Sequence, residues 1–160
     1  MTRWSVGANQ VSDLIRSRHL QRIAGDPKIV RALLASAQRH VESARRNAIE
    51  DPEAALAIAY DAARKSATAL LAHQGLRPTT AGGHFVVIEA IRAQFPKVPG
   101  LSSLDRLRRR RNQAEYPDPR GYDPISSDEA SDAINVACDC IASAEKLLVL
   151  DELGVFVEEA

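Results

Sequence analysis

Apolar residues recur along this chain at three- and four-residue steps, and that spacing predicts helices nearly throughout. Val11, Leu14, Ile15 and Leu20 share one side of a helix expected over residues 10–23. Gly25-Asp26-Pro27 ends it, and Asp26 can cap a second helix with Pro27 at its first position. Over 27–47, Val30, Leu33, Leu34, Ala37, Val41 and Ala44 form an amphipathic stripe. Asp51-Pro52 repeats the start signal, and Glu53 adds charge suited to a first turn. The third helix, expected over 52–73, is alanine-rich and carries Leu56, Ile58, Tyr60, Ala63, Ala67, Leu70 and Leu71. It is apolar over much of its circumference, which places it at the centre of a bundle, and Gly75 stops it.

A loop over 76–83 leads to a fourth helix over 84–95, with Phe85, Val87, Ile88, Ile91 and Phe95 as expected core contacts. A fifth helix over 101–115 carries a run of arginines, and the prolines and glycine of 117–124 form a turn-rich loop. Ser126 or Ser127 can cap the last helix, expected over 128–150. Ala133, Ile134, Ala137, Ile141, Ala144, Leu147 and Leu148 give its buried stripe. The ends, 1–9 and 154–160, are expected to be flexible, with Trp4 as an anchor and the tail extended across the bundle or a neighbouring subunit. The pattern predicts one all-α domain over 1–160, an antiparallel bundle of five to six helices with its core at about 27–150.

Composition sharpens this picture. Hydrophobic residues make up 45% of the chain but aromatics only 4%, so the core must come from small aliphatic side chains that favour close helix packing. The 21 basic and 21 acidic residues cancel, which argues against a general nucleic-acid coat but leaves room for a local basic patch. No apolar run is long enough to span a bilayer, and residues 1–13 lack a signal-peptide core, so a cytoplasmic location is expected. Cys138 and Cys140 point to different faces of a helix, and no Cys–His cluster accompanies them. They are expected to be packing residues, and no metal or cofactor signature is present; Gly82-Gly83 lacks the lysine of a phosphate loop.

Candidate chemistry concentrates near the arginine run, Arg106 and Arg108 to Arg111, broken only by Leu107. At about 100° per residue these side chains spread around the helix. Leu104 and Leu107 mark the inner stripe, so Arg108 and Arg111 lean toward the core or a subunit interface, and Arg109 and Arg110 meet solvent. One use of the run is a solvated face paired with Glu115 and Asp118. The other is a phosphate or RNA-backbone site, because the guanidinium fork grips two phosphate oxygens at once. Asn112, Glu115 and Tyr116 add an amide, a carboxylate and a phenol just beyond the last arginine. His84, at a helix start after Gly82-Gly83, is either a phosphate contact or stand-in base, or a packing residue that orders the loop. His19, His40 and His73 share no metal spacing and suit surface or helix-end positions. Tyr60 and Arg64 share a helix face and are expected to pack against each other.

Three stretches together resemble the HEPN domain family. Residues 60–77, with Ala69-Leu70-Leu71 and then Gly75, resemble its central alanine-rich helix; Gly83-His84 resembles the start of its next helix. Arg111-Asn112-Gln113-Ala114-Glu115-Tyr116 resembles its signature segment, in the form Arg-x-x-Ala-acidic-Tyr, most similar to small stand-alone actinobacterial members. The resemblance covers roughly 27–148. It implies a helical bundle, a homodimer, and a link to RNA or nucleotides, often in toxin–antitoxin or defence systems beside a nucleotidyltransferase-type partner. In such signatures a phenolic hydroxyl can be a target for nucleotidylation. Active members pair the arginine with a histidine four to six residues on, for metal-independent RNA cleavage by 2′-hydroxyl attack. Here Arg111 and Asn112 match, and Tyr116 stands where the histidine would be. A phenol with pKa near ~10 is a poor base at neutral pH. The expectation is therefore a dimeric RNA- or nucleotide-associated or interaction module, with Arg108, Arg109, Arg110, Arg111 and His84 as its binding residues. The alternative is an active ribonuclease toxin using Arg111 and Asn112 with Glu115, Tyr116 or His84.

Overall fold

The computed structural model describes residues 3–158. Its helices are α1 (Ala8–Arg16), α2 (Pro27–Asn47), α3 (Pro52–His73), α4 (Gly83–Gln94), α5 (Leu104–Glu115) and α6 (Ser127–Leu148), with a 3-10 turn at Leu101–Ser103 just before α5. The bundle is all-helical except for one short antiparallel ladder, β1 (Leu20–Arg22) on β2 (Leu76–Pro78). Local chemistry accounts for the helix starts. Asp26 accepts a hydrogen bond from the Lys28 amide and Asp51 from the Ala54 amide, each just before a proline. Ser126 and Glu129 close a reciprocal capping box on α6, so Ser126 and not Ser127 is the cap.

α3 lies at the centre. It packs along α2 and α6 on its flanks and against α4 and α5, and Ala55, Ala59, Ala62, Ala63 and Ala67 are fully buried on it. Small side chains let the neighbouring backbones approach, as the low aromatic content requires. Leu70, Leu71, Ile88, Ile91, Leu101 and Leu104 fill the remaining space.

Three expectations need correction. The first helix stops at Arg16 and does not reach residue 23. Arg18 takes a left-handed φ of 62°, and the His19 and Arg18 amides return to the Leu14 and Ile15 carbonyls. The chain then turns outward to pair β1 with β2, and the Thr79 hydroxyl donates to the Arg18 carbonyl. The ladder buries Leu20 and Leu76, a nonlocal gain that the helical spacing could not reveal. The loop expected at 76–83 accordingly begins with a strand.

Second, Phe85 is not a core residue: it is 47% exposed, and Val86, Val87, Ala90 and Ile91 form the buried face of α4. Third, the ends are tied down. Trp4 packs on Phe95 with ring centres 5.0 Å apart, and its amide donates to the Glu152 carbonyl. Phe156 is buried and its amide donates to the Gln74 carbonyl, so the tail runs across the end of the bundle. Residues 1–2 and 159–160 of the expected flexible ends lie outside the described residues. Cys138 and Cys140 are free thiols; burial pushes Cys140 up to about 12, which keeps it protonated.

Candidate functional site

Three helices bring a cationic group of side chains together. Tyr60, Asp61 and Arg64 come from the middle of α3, His84 and Phe85 from the first turn of α4, and Arg108 and Arg111 from α5. The i, i+4 spacing sets Tyr60 and Arg64 on one face of α3, and the i, i+3 spacing does the same for Arg108 and Arg111. The Arg111 guanidinium carbon stands 6.0 Å from the centre of the Tyr60 ring, and that of Arg108 stands 5.1 Å from the Phe85 ring. These are the geometries of cation–π contact. Arg64 donates to Asp61 at 2.9 Å, and His40 of α2 lies 3.9 Å from the same carboxylate.

The polar groups of this cluster are incompletely satisfied. Tyr60 is 2% exposed, yet its hydroxyl has no hydrogen-bond partner among the described residues, nor does Arg64 Nε. A buried hydroxyl without a partner costs roughly 1–3 kcal/mol. Such a group is retained where something else satisfies it. Burial raises the Tyr60 pKa above its usual value, although Arg64, Arg108 and Arg111 pull it back, so the phenol is a neutral donor at physiological pH. His84 moves the other way. Partial burial and then the charge of Arg64 lower its pKa; Asp61 opposes them, and Arg111 adds a smaller lowering. Its imidazole is therefore neutral at pH 7 and can accept a proton. For Asp61, burial works against the carboxylate, but the Arg64 hydrogen bond and charge, with Lys65 and His40, leave its pKa lowered.

The arginine run divides its labour differently from the sequence expectation. Arg108 and Arg111 do lean inward, and Arg109 does meet solvent, with 68% of its side chain exposed. Arg110 does not: its side chain is only 19% exposed. It grips Glu129 through Nε at 2.7 Å and Nη2 at 3.1 Å and reaches the Asp123 carbonyl, which locks α5 to the start of α6. That ion pair ties Arg110 to the start of α6, so its side chain does not stand free in solvent as expected. Asp105 gathers Arg108 at 3.0 Å, Arg109 at 3.0 Å and Arg92 at 3.8 Å. Asp118 pairs with Arg120 and with none of the run.

In the signature segment, Arg111 is tied to Glu115 at 2.6 Å and stands 3.4 Å from the Asn112 side-chain oxygen. Glu115 is thus occupied as an ion-pair partner. Arg111 also lines a cleft of about 220 Å³ with Asp51, Glu53 and Glu115, whose carboxylates make that cleft unfavourable for an anion. Tyr116 ends α5 with its backbone amide on the Asn112 carbonyl and its ring 77% exposed. Arg111 and His84 therefore share the cluster, whereas Glu115 and Tyr116 flank it.

Sequence reasoning assigned Tyr60 and Arg64 to packing and Phe85 to the core. A signal for Arg64 was present: an arginine inside an alanine-rich central helix must find a partner or a ligand, because a buried charge is costly alone. Among the described residues no group of three or more His, Cys, Asp or Glu side chains is placed to hold a metal ion, and no helix is long and apolar enough to cross a membrane.

Fold and site define a class: a helical bundle with a cluster of cationic side chains where its central helix meets two shorter ones. The chain belongs to the HEPN domain family, whose model matches residues 30–147, from α2 through α6. Comparison with curated proteins and with solved structures gave no match.

Proposed function

We propose that this HEPN domain is an RNA- or nucleotide-binding module, non-catalytic or weakly catalytic, that holds a phosphate among Arg64, Arg108 and Arg111. The observation that carries the reading is the gathering of these charges on the buried Tyr60, whose ring lies under Arg111 and whose hydroxyl has no partner among the described residues. Guanidiniums and a neutral phenol are all donors, and a phosphodiester offers only acceptors, so each would complete the other. The test is fluorescence anisotropy with a labelled single-stranded RNA at rising salt. Binding that weakens with salt, and weakens about tenfold or more in Arg64→Ala or Arg111→Ala, is the expected result. Absence of binding at low salt would sink the reading.

In the fuller form of this reading the domain is a cytoplasmic homodimer in a toxin–antitoxin or defence system, with a nucleotidyltransferase-type partner. Analytical ultracentrifugation tests the dimer. The exposure of Tyr116 suits it as an acceptor for that partner. Mass spectrometry after incubation with the partner and ATP should find an added nucleotide on Tyr116, and an unmodified Tyr116 removes this part.

One observation favours a second reading, a metal-independent ribonuclease: His84 is a neutral imidazole within the field of Arg64 and Arg111. It would take the 2′-hydroxyl proton as the 2′-oxygen bonds to phosphorus and the bond to the 5′-oxygen breaks. The products would be a 2′,3′-cyclic phosphate and a 5′-hydroxyl that gains its proton from solvent. Cleavage in the presence of a chelator, lost in both His84→Ala and Arg111→Ala, supports it. Equal, near-zero cleavage by all three proteins rules it out.

A further inference from the structure

Phe85 is the exposed large apolar side chain of α4. A solitary exposed aromatic ordinarily needs no explanation. Its neighbours supply one here. Arg108 stands 5.1 Å from the ring centre and is itself held by Asp105 through Nε at 3.1 Å and Nη2 at 3.0 Å. The ring is thus backed by a fixed cation and still open to water. Arg108 also acts on Tyr60, so it links the ring to the cluster of Tyr60, Arg64 and Arg111.

Beyond Phe85 the surface is mixed in charge but richer in arginine, with Glu89 exposed one turn further along α4. α4 and α5 each pack on α3, but side chains and not close backbone packing span the gap between them. Down that seam Arg92 and Arg109 meet Asp105, and with Arg106 and Arg110 they border an open hollow of about 460 Å³. The cationic surface therefore extends past the span of one phosphate, with an aromatic ring set into it. That combination binds single-stranded nucleic acid, where cations follow the backbone and exposed rings take unstacked bases.

We propose that Phe85 is the stacking platform for a base of single-stranded RNA whose adjoining phosphate is held by Arg64 and Arg111, with the strand continuing along the α4–α5 seam past Arg92 and Arg109. This rests on the phosphate-binding reading above and names its ligand. The preference is for single strands because a duplex keeps its bases stacked inside. It tolerates many sequences because every base has a face to stack.

The test compares wild type, Phe85→Leu, Phe85→Tyr and Arg111→Ala against a short single-stranded RNA carrying one 2-aminopurine, a hairpin duplex, and ATP. Wild type should favour the single strand and change the 2-aminopurine emission. Phe85→Leu should weaken that binding about tenfold and abolish the emission change, while Phe85→Tyr preserves both. Matching thermal melts for the Phe85 variants exclude a folding defect. If Phe85→Leu binds as wild type does while Arg111→Ala fails, the platform is overturned and the phosphate reading survives. If Arg111→Ala also binds normally, the phosphate reading falls as well. Equal losses for ATP and RNA in Phe85→Leu would overturn the strand and leave a mononucleotide site.

Discussion

Arg111 stands over the ring of Tyr60, its guanidinium carbon 6.0 Å from the ring centre, and the phenol beneath has no hydrogen-bond partner among the described residues. This pair joins the signature segment on α5 to the buried centre of α3. It also separates two roles that one substitution can distinguish. Tyr60→Phe keeps the packing and removes the unsatisfied hydroxyl. Its melting temperature should equal or exceed that of wild type, by up to about 1 kcal/mol of stability. RNA or phosphate affinity should fall several-fold in the same protein. An unchanged affinity would show that the hydroxyl plays no part in binding.

His84 should titrate below the ordinary imidazole range near ~6.5, because burial and the charges of Arg64 and Arg111 disfavour its protonated form. A depressed histidine pKa means that the folded protein binds this proton less readily than the unfolded chain. The associated stability is therefore present at neutral pH and is lost as pH falls from the unfolded value through the lower folded one. A bound phosphate reverses the local field and should raise the His84 pKa. Imidazole resonances followed by NMR, with and without inorganic phosphate, check both shifts. A His84 midpoint at or above the ordinary value in the free protein contradicts the first.

Arg110 and Glu129 should matter for stability and not for binding. Glu129 has a lowered pKa, first through its hydrogen bond from Arg110, and it also completes the capping box with Ser126. Because the unfolded chain holds that proton more tightly, the stabilisation is complete above the ordinary glutamate pKa and fades as acid protonates the folded carboxylate. Glu129→Gln should cost about 1 kcal/mol at neutral pH and flatten the acid side of the stability profile. Arg110→Ala should lower the melting temperature while leaving RNA affinity within about twofold of wild type once the weak long-range charge contribution is screened by salt. A large loss of affinity in Arg110→Ala would show that Arg110 serves the binding surface as well as the α5–α6 lock.

Gly100 sets where α5 begins. Its φ is 77°, and a Cβ there would fall 2.4 Å from the Cys140 backbone nitrogen. Gly100→Ala should therefore destabilise the protein by about 2 kcal/mol or more, through left-handed strain plus a clash that the α6 backbone cannot relieve. Urea denaturation measures this. A variant as stable as wild type would mean that the 96–100 segment re-forms without cost.

Much of the fold was legible because its signals are local. Asp26-Pro27 and Asp51-Pro52 mark helix starts by chemistry that acts within one turn, and the structure places α2 and α3 with the boundaries those signals predict. The alanine content of α3 announced its central position, since only a helix contacted on many sides can be apolar nearly all round. The end of α1 was not legible, because the spacing of Val11, Leu14 and Leu20 continues through a turn whose cause is the β1–β2 ladder some sixty residues away in sequence, as the Thr79–Arg18 bond shows. Phe85 was misplaced for a related reason. Its neighbours Val86 and Val87 are equally apolar, and only the packing of α4 on α1 and α3 decides which of the three turns outward.

By itself the sequence determined the all-helical class, the central helix and the resemblance to the HEPN family. These depend on residue identity and short-range spacing, which a linear chain displays in full. Tertiary structure alone decided that Arg110 is spent on Glu129, that Glu115 is bound to Arg111, and that Tyr60, Arg64 and His84 gather beside Arg108 and Arg111. The reason is physical. Each guanidinium settles where its charge is best compensated, and the available carboxylates, rings and hydroxyls belong to helices that meet only when the bundle closes around α3.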